Sequence, residues 1–452
     1  MKSNPMNSLE RRAVALLASI YALRMAGLFL ILPVFALYAT GLEGHTPLLI
    51  GLAIGIYGLT QALLQIPFGL VSDRVGRKPV IAVGLLIFAA GSVIAATAGS
   101  LWMVILGRAV QGAGAIPAAV MAMVADLTRE EQRSKAMAAI GMTIGASFVL
   151  SLILGPVLDG LIGVSGIFWI TGLFALLAIG IILFAVPTPV RTKKRAGNLR
   201  KDFARILRDR QLLRLDAGVF VLHLVMTAMF VVLPGNIVQT MELPAAEHWK
   251  LYLPTMLLGF FGMLPFLMHA NRQQATRRVM AGAVAVLIAA QAVFLFFAGN
   301  KLGLVFGLFL FFLSFNLLEA MLPSLISRLA PSESKGAAIG VYSTAQFLGA
   351  FAGGALAGLI SGYGAQGVFL LTGGALTVWL LLALSMRKPR FLTSKQLRVG
   401  TQSVPQAEKL ARKLAAVPGV AEAIVIAEEG VAYLKVDPNA LDNKRLQSFS
   451  VS

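Results

Sequence analysis

The sequence predicts an all-α membrane protein with twelve transmembrane helices in two pseudo-symmetric halves of six, followed by a small α+β domain. Its 452 residues are 58% hydrophobic and only 13% charged, which is far from the balance of a soluble globular domain. Apolar runs of about 20 residues, long enough to cross a bilayer, recur along the chain. A basic stretch at the midpoint divides them six and six, and hydropathy falls sharply after Arg390.

Glycine, proline and clusters of charge separate the apolar runs. The first run is interrupted by Arg24 but continues to Leu37, which favours a spanning helix over a cleaved signal peptide. The even number of crossings returns the C-terminus to the side of the N-terminus. The approximate limits of the predicted helices 1 to 12 are 14–40, 48–71, 79–98, 101–125, 136–160, 165–187, 212–238, 250–269, 278–298, 302–327, 336–361 and 366–386.

Basic residues lie mainly in the connections on one side of the predicted membrane. The formal net charge is +19, yet the connections on the other side hold only Lys250 and Lys301. The positive-inside rule therefore predicts a multi-pass protein of the bacterial cytoplasmic (inner) membrane with both termini in the cytoplasm. Because the charges follow the loops rather than one soluble face, they do not indicate nucleic-acid binding.

The midpoint segment 191–213 is predicted to be a basic cytoplasmic linker between a first half at 1–190 and a second half at 214–390. Apolar residues recur in it at helical spacing, which predicts an amphipathic helix on the anionic inner leaflet. These residues are Leu199, Phe203, Ile206 and Leu207.

An internal repeat supports the division into halves. RSKAMAAIG at 133–141, which enters predicted helix 5, is echoed by ESKGAAIG at 333–340, which enters predicted helix 11. Two parallel six-helix repeats are typical of transporters. Chance similarity between two helices rich in small residues is the alternative explanation.

The segment 395–452 is predicted to be a small cytoplasmic domain. LRVGTQ (397–402) indicates a strand, PQAEKLARKLAAV a helix, AEAIVIAEE and VAYLKV a hairpin, and PNALDNKRLQSF a second helix. This βαββα order is that of a ferredoxin-like unit whose last strand is missing or very short. The segment resembles the second half of heavy-metal-associated domains but has no cysteine or histidine, so we expect regulation or stabilisation there rather than metal binding.

The composition argues against an enzyme. The chain has no cysteine, which excludes disulfides, thiolate metal sites and thiol catalysis. Its histidines are scattered singly, and no nucleophile–base pair, phosphate loop or metal cluster is evident. We therefore expect no cofactor and no metal. The four histidines are His45, His223, His248 and His269.

One connection, GLVSDRVGRKPV at 69–80 between predicted helices 2 and 3, is unusually rich in charge. Gly69 allows close helix packing and Gly76 permits a tight reversal. Orientation in the membrane requires only the basic residues of this connection. The carboxylate of Asp73 has a further use, since it could cap a helix N-terminus or pair with an arginine. The charged residues are Asp73, Arg74, Arg77 and Lys78.

This connection resembles the signature Gly-x-x-x-Asp-Arg-x-Gly-Arg-Lys of the major facilitator superfamily. LGRAVQGAGAIP at 106–117 is similar to that family's second motif. The matching residues are Gly69, Asp73, Arg74, Gly76, Arg77 and Lys78 in the first motif and Arg108, Gln111, Gly112 and Gly114 in the second. Within the family the chain looks like the drug/proton antiporters, some of which carry a small soluble domain after helix 12.

Predicted helix 5 departs from the antiporter pattern of that group. GASFVLSLILGPVLDG at 145–160 retains Gly155, Pro156 and Gly160. Other residues stand where the family pattern has glycine, which leaves the direction of transport open. These residues are Met142, Ser151 and Asp159.

The resemblance implies alternating access, in which the two halves rock about a central site. It also implies that the loop between helices 2 and 3 latches the cytoplasmic side shut. Asp73 would then meet the N-terminus of helix 11, near residues 335–338, and Arg77 would pair with Asp126. The alternative is that the loop only orients the protein in the membrane.

Four ionisable residues stand out as lying deep inside predicted spans, where charge is costly and usually functional. Arg24, Arg108, His223 and Glu319 lie in predicted helices 1, 4, 7 and 10, which line the central cavity in the family that the chain resembles. Glu319 is a candidate proton carrier, since acids in spans often form proton relays. A fixed structural pair with Arg24 across the cavity is the alternative.

Other polar residues could join this site. Asn316, one turn before Glu319, could hydrogen-bond to it, and Gln61 and Gln65 share one face of predicted helix 2. His223 could titrate in the useful range or only pack, and Arg108 could couple to transport or only bridge helix backbones.

The sequence as a whole predicts a secondary active transporter that exports hydrophobic or amphipathic small molecules in exchange for protons, as in multidrug efflux. A cavity rich in Phe, Met, Ala and Gly favours such substrates over sugars or phosphates. We expect a monomer whose partners are the substrate, protons and the lipid bilayer. A proton-coupled uptake symporter and a non-transporting membrane sensor that uses the small domain are the alternatives.

Overall fold

The computed structural model describes residues 5–188, 199–272, 275–331, 334–386, 393–401, 403–427, 429–437 and 440–451. The chain divides into two compact units. The larger consists of Met1–His269 with Arg278–Met386, and the smaller of Ala270–Arg277 with Arg387–Ser452.

Helices dominate the chain as far as residue 386. In chain order they are α1 (Ser8–Phe29), α2 (Leu32–Ala39), α3 (Pro47–Val75), α4 (Arg77–Ala96), α5 (Leu101–Ala113), α6 (Pro117–Asp126), α7 (Glu130–Gly180), α8 (Leu199–Ile206), α9 (Arg210–Met241), α10 (Trp249–Arg272), α11 (Thr276–Phe297), α12 (Lys301–Leu329), α13 (Lys335–Ser361) and α14 (Ala365–Leu384). A π-helical turn at Ile181–Ala185 and a 3₁₀ turn at Ala245–Glu247 extend this set.

Eleven helical segments in the described part of the chain are long and apolar enough to cross a membrane. One of them contains α7, whose 51 residues would reach about 77 Å, although the hydrocarbon core is only about 30 Å thick. Gly163 interrupts α7 with φ +68° and ψ 172°, a conformation that glycine adopts readily. Helices 5 and 6 are predicted to meet at this point, so the long segment accounts for both.

The predicted helices 1 to 12 all have counterparts. Helix 1 corresponds to α1 and α2, helices 2 and 3 to α3 and α4, and helix 4 to α5 and α6. Helices 5 and 6 correspond to the two parts of α7, and helices 7 to 12 to α9 to α14. Two of these spans are broken in the middle. Proline in the first turn of α2 and of α6 suits a helix start because proline has no backbone N–H to donate. At such a break, nearby carbonyl groups are left free to accept other donors.

Glycines bring α3 and α13 into backbone contact, and this contact joins the two halves. A Cβ atom on Gly51 would overlap the carbonyl oxygen of Gly354, and one on Gly58 would overlap that of Phe347. Small residues allow such close approach between membrane helices. We call this contact the α3–α13 seam.

The halves also meet away from this seam. We define the basic face as the side that holds the start of α1, the α3–α4 loop and the end of α6. On the opposite side, α2 packs against α9 and α7 packs against the 3₁₀ turn. Met142 of α7 is 71% exposed.

The linker helix α8 differs from the prediction of a helix lying on the membrane surface. Ile206 is buried, Phe203 is half-buried, and α8 packs against α13. Phe203 and Ile206 therefore cover protein rather than lipid, because the neighbouring helix α13 offers them an apolar surface. The part of the predicted linker at 191–198 lies outside the described residues.

The smaller unit confirms the small α+β domain. Its elements are β1 (Thr393–Arg398), α15 (Val404–Ala415), β2 (Val420–Ile426), β3 (Val431–Val436) and α16 (Asn443–Gln447). The sheet is antiparallel in the order β1-β3-β2, which is the order of a ferredoxin-like unit without its last strand. Its core is formed by Leu397, Leu414, Leu434 and Leu446 with their neighbours.

Two boundaries in this domain were predicted wrongly. The first strand ends at Arg398 rather than extending over 397–402, because Gly400, with φ +75°, bends the chain away. The second helix is only Asn443–Gln447 and begins after the capping residue Asp442. The N–H of Val451 donates to the carbonyl of Arg398 at 3.0 Å, at the edge where a last strand would lie.

Candidate functional site

The charged loop lies where α3 ends and α4 begins. Gly76 separates the two helices with φ +118°, a backbone conformation that residues with a side chain rarely adopt. Gly69 lies about two helical turns earlier, and a Cβ atom there would approach that of Ala118 to 3.2 Å. The two glycines therefore turn the chain sharply and keep α3 close to α6.

Arg77 ties three helices together at this loop. Its Nε donates to Asp126 Oδ2 at 3.1 Å, its Nη1 to Ser72 Oγ at 2.6 Å, and its Nη2 lies 2.5 Å from Asp73 Oδ1. The side chain is only 12% exposed, so these charge-assisted bonds are stronger than surface ion pairs. The Arg77–Asp126 pair that the resemblance implies is thus present.

Asp73 does not make the contact that the resemblance implies. Its carboxylate pairs with Arg77 and is 55% exposed, and among the described residues it has no contact with the N-terminus of α13. The guanidinium of Arg77 lies one helical turn away and captures the carboxylate within the same loop. Arg74 lies in the last turn of α3, and Lys78 Nζ reaches the carbonyl of Leu183 at 3.4 Å.

A second ion pair braces the basic face of the first half, and the sequence did not reveal it. Glu10 caps the start of α1 with Asn7. Its carboxylate also accepts from the Arg129 guanidinium at 2.9 and 3.0 Å and from the Arg129 backbone N–H at 2.9 Å. The first turn of α1 is thereby fixed to the start of α7.

Arg24 is buried inside the first half and does not pair with Glu319. Its Nη2 donates to Gln61 Oε1 and to the carbonyl of Gly114 at 3.1 Å. The guanidinium also lies over the rings of Tyr57 and Phe88 at 5.6 and 5.7 Å. The predicted alternative of an Arg24–Glu319 pair is therefore wrong, because the break before α6 supplies a nearer carbonyl acceptor.

Arg108 and Gln111 form a neighbouring buried network. Arg108 donates to Gln111 Oε1 at 2.9 Å and to the carbonyl of Ala53 at 3.5 Å, and it lies 5.0 Å from the centre of the Tyr57 ring. Gln111 donates in turn to Ser92 Oγ at 2.8 Å. Arg108 thus bridges α5 to the backbone of α3.

Gln65 belongs to the contact between the halves rather than to a cavity. Its Nε2 donates to Thr344 Oγ1 at 2.7 Å and to the carbonyl of Gly340 at 3.5 Å. Gln61, on the same face of α3, is the partner of Arg24. The two glutamines therefore serve different contacts.

His223 in α9 lies at the centre of a polar cluster in the second half. Its Nδ1 lies 3.1 Å from the carbonyl of Val219 and its Nε2 lies 2.7 Å from Gln346 Nε2. A carbonyl only accepts, so Nδ1 carries the proton and Nε2 of the neutral ring accepts from the Gln346 amide. Glu319 Oε2 lies 3.9 Å from the same Nε2.

Glu319 in α12 has one oxygen without a partner. Its Oε2 and the Nδ2 of Asn316 are both buried without a hydrogen-bond partner among the described residues, so the predicted Asn316–Glu319 hydrogen bond is not formed. The Glu319 side chain as a whole is 30% exposed. The carboxylate therefore lies beside open space and can exchange partners.

Four phenylalanines lie close to this cluster and come from both halves. The ring of Phe148 contacts those of Phe29, Phe315 and Phe230 at 5.1, 5.6 and 6.5 Å. Phe315 also lies 6.2 Å from the imidazole of His223. The acid and the histidine thus border an aromatic surface at the middle of the molecule.

Two residues of the second half were missed by the sequence analysis. Gln346 was not among the predicted site residues, yet it is the partner of His223. Asp216 was not among the acids predicted inside the spans, yet it is 6% exposed. The seven-residue spacing of Asp216 and His223 places both on one face of α9, and this spacing could have revealed it.

No group of histidine, aspartate or glutamate that could hold a metal ion occurs among the described residues. Arg24, Arg108 and Gln111 lie together in the first half, and His223, Asn316 and Glu319 lie together in the second. The two groups belong to separate polar networks.

Comparison with known proteins identifies the family. The Major Facilitator Superfamily model matches residues 17–354 and 276–427. The Escherichia coli inner membrane transport protein YajR is 43% identical over 431 residues, 95% of this chain and 94% of that protein. An uncharacterised transporter of Buchnera aphidicola from Acyrthosiphon pisum is 34% identical over 351 residues, 77% of this chain and 90% of that protein.

The fold is that of solved transporters. A bacterial homologue of the human lysosomal transporter Spinster, in an inward-facing and occupied conformation, superposes with a TM-score of 0.70 at 14% identity and covers 84% of this chain and 97% of that one. At this identity the likeness concerns the fold alone. The chain therefore belongs to the Major Facilitator Superfamily, and it is a secondary transporter of the inner membrane rather than an enzyme.

Proposed function

We propose that this transporter exports hydrophobic or amphipathic small molecules in exchange for protons. The observation that carries the proposal is the cluster of Glu319, His223 and Gln346 beside the aromatic surface. An acid with an unpartnered oxygen next to a titratable ring is the combination that proton relays use in membrane proteins.

The hydrogen bonds of His223 suggest how a proton could change the structure. The neutral imidazole accepts from the Gln346 amide through Nε2. A proton added at Nε2 turns this atom into a donor, so it must leave the amide hydrogen and turn to an acceptor. Glu319, 3.9 Å away, is that acceptor, and the exchange would weaken the link between α9 and α13 while strengthening that between α9 and α12.

The aromatic surface supports the substrate class. Phe29 and Phe148 come from the first half, and Phe230 and Phe315 come from the second. A hydrophobic compound between them would contact both halves at once, which is the position a central site needs for alternating access. Sugars and phosphates need more fixed polar partners than this surface offers.

The basic face is the cytoplasmic side in this proposal, which places both termini in the cytoplasm. The rocking bodies would be 1–190 and 214–390, connected by 191–213, with 395–452 as a cytoplasmic domain and the chain working as a monomer. The loop that contains Asp73 would latch onto the start of α13 when the basic face closes. In the present arrangement Asp73 pairs with Arg77 instead.

Proteoliposomes with an imposed pH gradient and a pH-sensitive dye inside test the proposal. Adding a hydrophobic substrate should move protons opposite to the substrate in the wild type, and Glu319→Gln should abolish this proton movement. Glu247→Gln removes an exposed acid on the opposite side and serves as the control. Proton movement in the same direction as the substrate would establish the uptake symporter, and tight binding without flux would establish the sensor.

A further inference from the structure

The second half holds a buried carboxylate that the proposed mechanism does not use. Asp216 is 6% exposed, and neither of its carboxylate oxygens has a hydrogen-bond partner among the described residues. An ionised carboxylate in apolar surroundings is stable only with donors or a cation beside it. Asp216 must therefore bind a cation while it is buried, and a proton is the one that needs no further ligands.

The packing of α9 against α13 fixes the position of Asp216. A Cβ atom on Gly349 would overlap the carbonyl oxygen of Phe220, and one on Gly353 would overlap that of Leu224. Both contacts advance by four residues together, so the two helices run in the same direction. Asp216 lies one helical turn before Phe220, so it lies level with residue 345, which is one helical turn before Gly349.

Tyr342 connects this carboxylate with the polar cluster. Residue 345 lies between Tyr342 and Gln346, the partner of His223. Tyr342 is 5% exposed and its hydroxyl has no partner among the described residues. It interacts electrostatically with both Asp216 and Glu319, although its hydroxyl hydrogen-bonds to neither carboxylate.

The two acids lie at different depths. Asp216 lies about 9 Å along α9 from its start at Arg210. Glu319 lies about 15 Å along α12 from its end at Leu329. Both distances are measured from the basic face, so Asp216 lies closer to it.

We propose that Asp216 is a second proton-binding group of this transporter. One of its carboxylate oxygens takes up a proton while the group is buried and releases it when the group is exposed, so Asp216 alternates between a neutral and an ionised form. Two protons, rather than one, would then be exchanged in each cycle. This inference rests on the proposed role of Glu319.

The surroundings of Asp216 contain few other titratable groups. Tyr342 of α13 interacts with it electrostatically. From α14, the indole of Trp379 packs near Gly218 and does not titrate. No basic side chain of the described residues, including those on α2 and α3, lies within ion-pair distance of Asp216. On the same helix, Arg214 lies two residues before Asp216 and therefore points to a different side of α9.

Infrared difference spectra of the full-length protein in lipid nanodiscs, recorded between acidic and alkaline pH, test the inference. The absorption of protonated carboxyl groups should fall by about half in Asp216→Asn and by about half in Glu319→Gln, because each variant retains one of two titrating groups. Asp216→Glu should restore the lost band at a shifted position. Glu247→Gln should leave the spectrum of these buried groups unchanged.

The outcomes distinguish the two proposals. A wild-type spectrum from Asp216→Asn, together with complete loss in Glu319→Gln, would overturn the inference and keep the proposed function. A wild-type spectrum from Glu319→Gln would instead overturn proton binding at Glu319. If Asp216→Asn does not fold, Asp216→Glu decides: it should keep both bands with one of them shifted, and a spectrum without a shifted band would overturn the inference.

Discussion

The side chain of Arg77 contacts Asp126 at 3.1 Å and thereby ties the start of α4 to the end of α6. The same guanidinium also binds Ser72 and Asp73 in the last turn of α3. One arginine therefore holds three helix ends at the basic face, and the glycine before it allows the chain to turn tightly enough to do so.

Replacing Arg77 by alanine should destabilise the first half. It leaves the half-buried Asp126 without this partner, and lost hydrogen bonds to charged groups cost about 1.5–3 kcal/mol each. Thermal unfolding of the purified protein measures the loss. Lys78→Ala is the matched control and should change stability little, and equal effects of both variants would contradict the bridging role of Arg77.

Asp73→Asn should act differently, changing the conformational balance rather than stability. The carboxylate is 55% exposed, and exposed ion pairs contribute about 0–1 kcal/mol. If it latches onto α13 when the basic face closes, its loss should favour the state open at the basic face. Because the chain has no native cysteine, distances between pairs of spin labels on introduced cysteines can follow this balance. Unchanged distance distributions and unchanged transport would show that the loop does not act as a latch and only orients the protein in the membrane.

Gly51→Leu should push α3 and α13 apart. The new side chain would overlap the backbone of α13, and inserting extra volume into close packing typically costs about 1–3 kcal/mol. Loss of transport and a lower unfolding temperature are expected. Gly282→Ala in α11 is the control, since nothing lies within 4 Å of its Cβ position, and equal damage there would argue against a special role of the α3–α13 seam.

Arg24→Met should destabilise the first half without changing the pH dependence of transport. It leaves Gln61 and the Gly114 carbonyl without their buried donor, and removal of one partner of a buried charged contact costs about 3–5 kcal/mol. The pH dependence is expected to persist because Arg24 does not contact Glu319. A variant that transports but has lost its pH dependence would show that Arg24 takes part in proton coupling.

Deletion of 395–452 should leave the membrane helices folded. The small domain encloses its own core around Leu414 and Leu434, and the helical unit has a separate core of its own. Gel filtration and transport by the truncated protein measure the outcome. Aggregation of the truncated chain would mean that the domain stabilises the helices, and retained folding with altered transport would indicate regulation.

The sequence predicted the spans well because the bilayer fixes their length and composition. It also predicted the loop motif, and it singled out Arg24, Arg108 and His223, whose side chains are buried. It placed the break between the two spans of α7 near residues 160–165 but could not show that Gly163 makes the turn, because hydropathy does not report backbone angles. Nor could it place α8, whose apolar residues suit a lipid surface and a protein surface equally well.

Partners inside the membrane were harder to predict than positions. A pair of Arg24 with Glu319 was one of two alternatives, but Arg24 donates to Gln61 and to a carbonyl set free by the break before Pro117, and such a break leaves no mark on side-chain patterns. Gln346 and Asp216 were missed because a polar residue in a span looks the same in the sequence whether it faces water, lipid headgroups or a buried cluster. The rotation of each helix about its axis decides which of these surroundings a side chain meets. For Asp216 and Gln346, the packing of α9 against α13 fixes that rotation.

The α3–α13 seam has a consequence for the route of the substrate. Because glycine contacts hold these two helices backbone to backbone, a rocking motion of the halves would have to pivot at this seam. The substrate would then reach the aromatic surface from the edge farthest from α3 and α13.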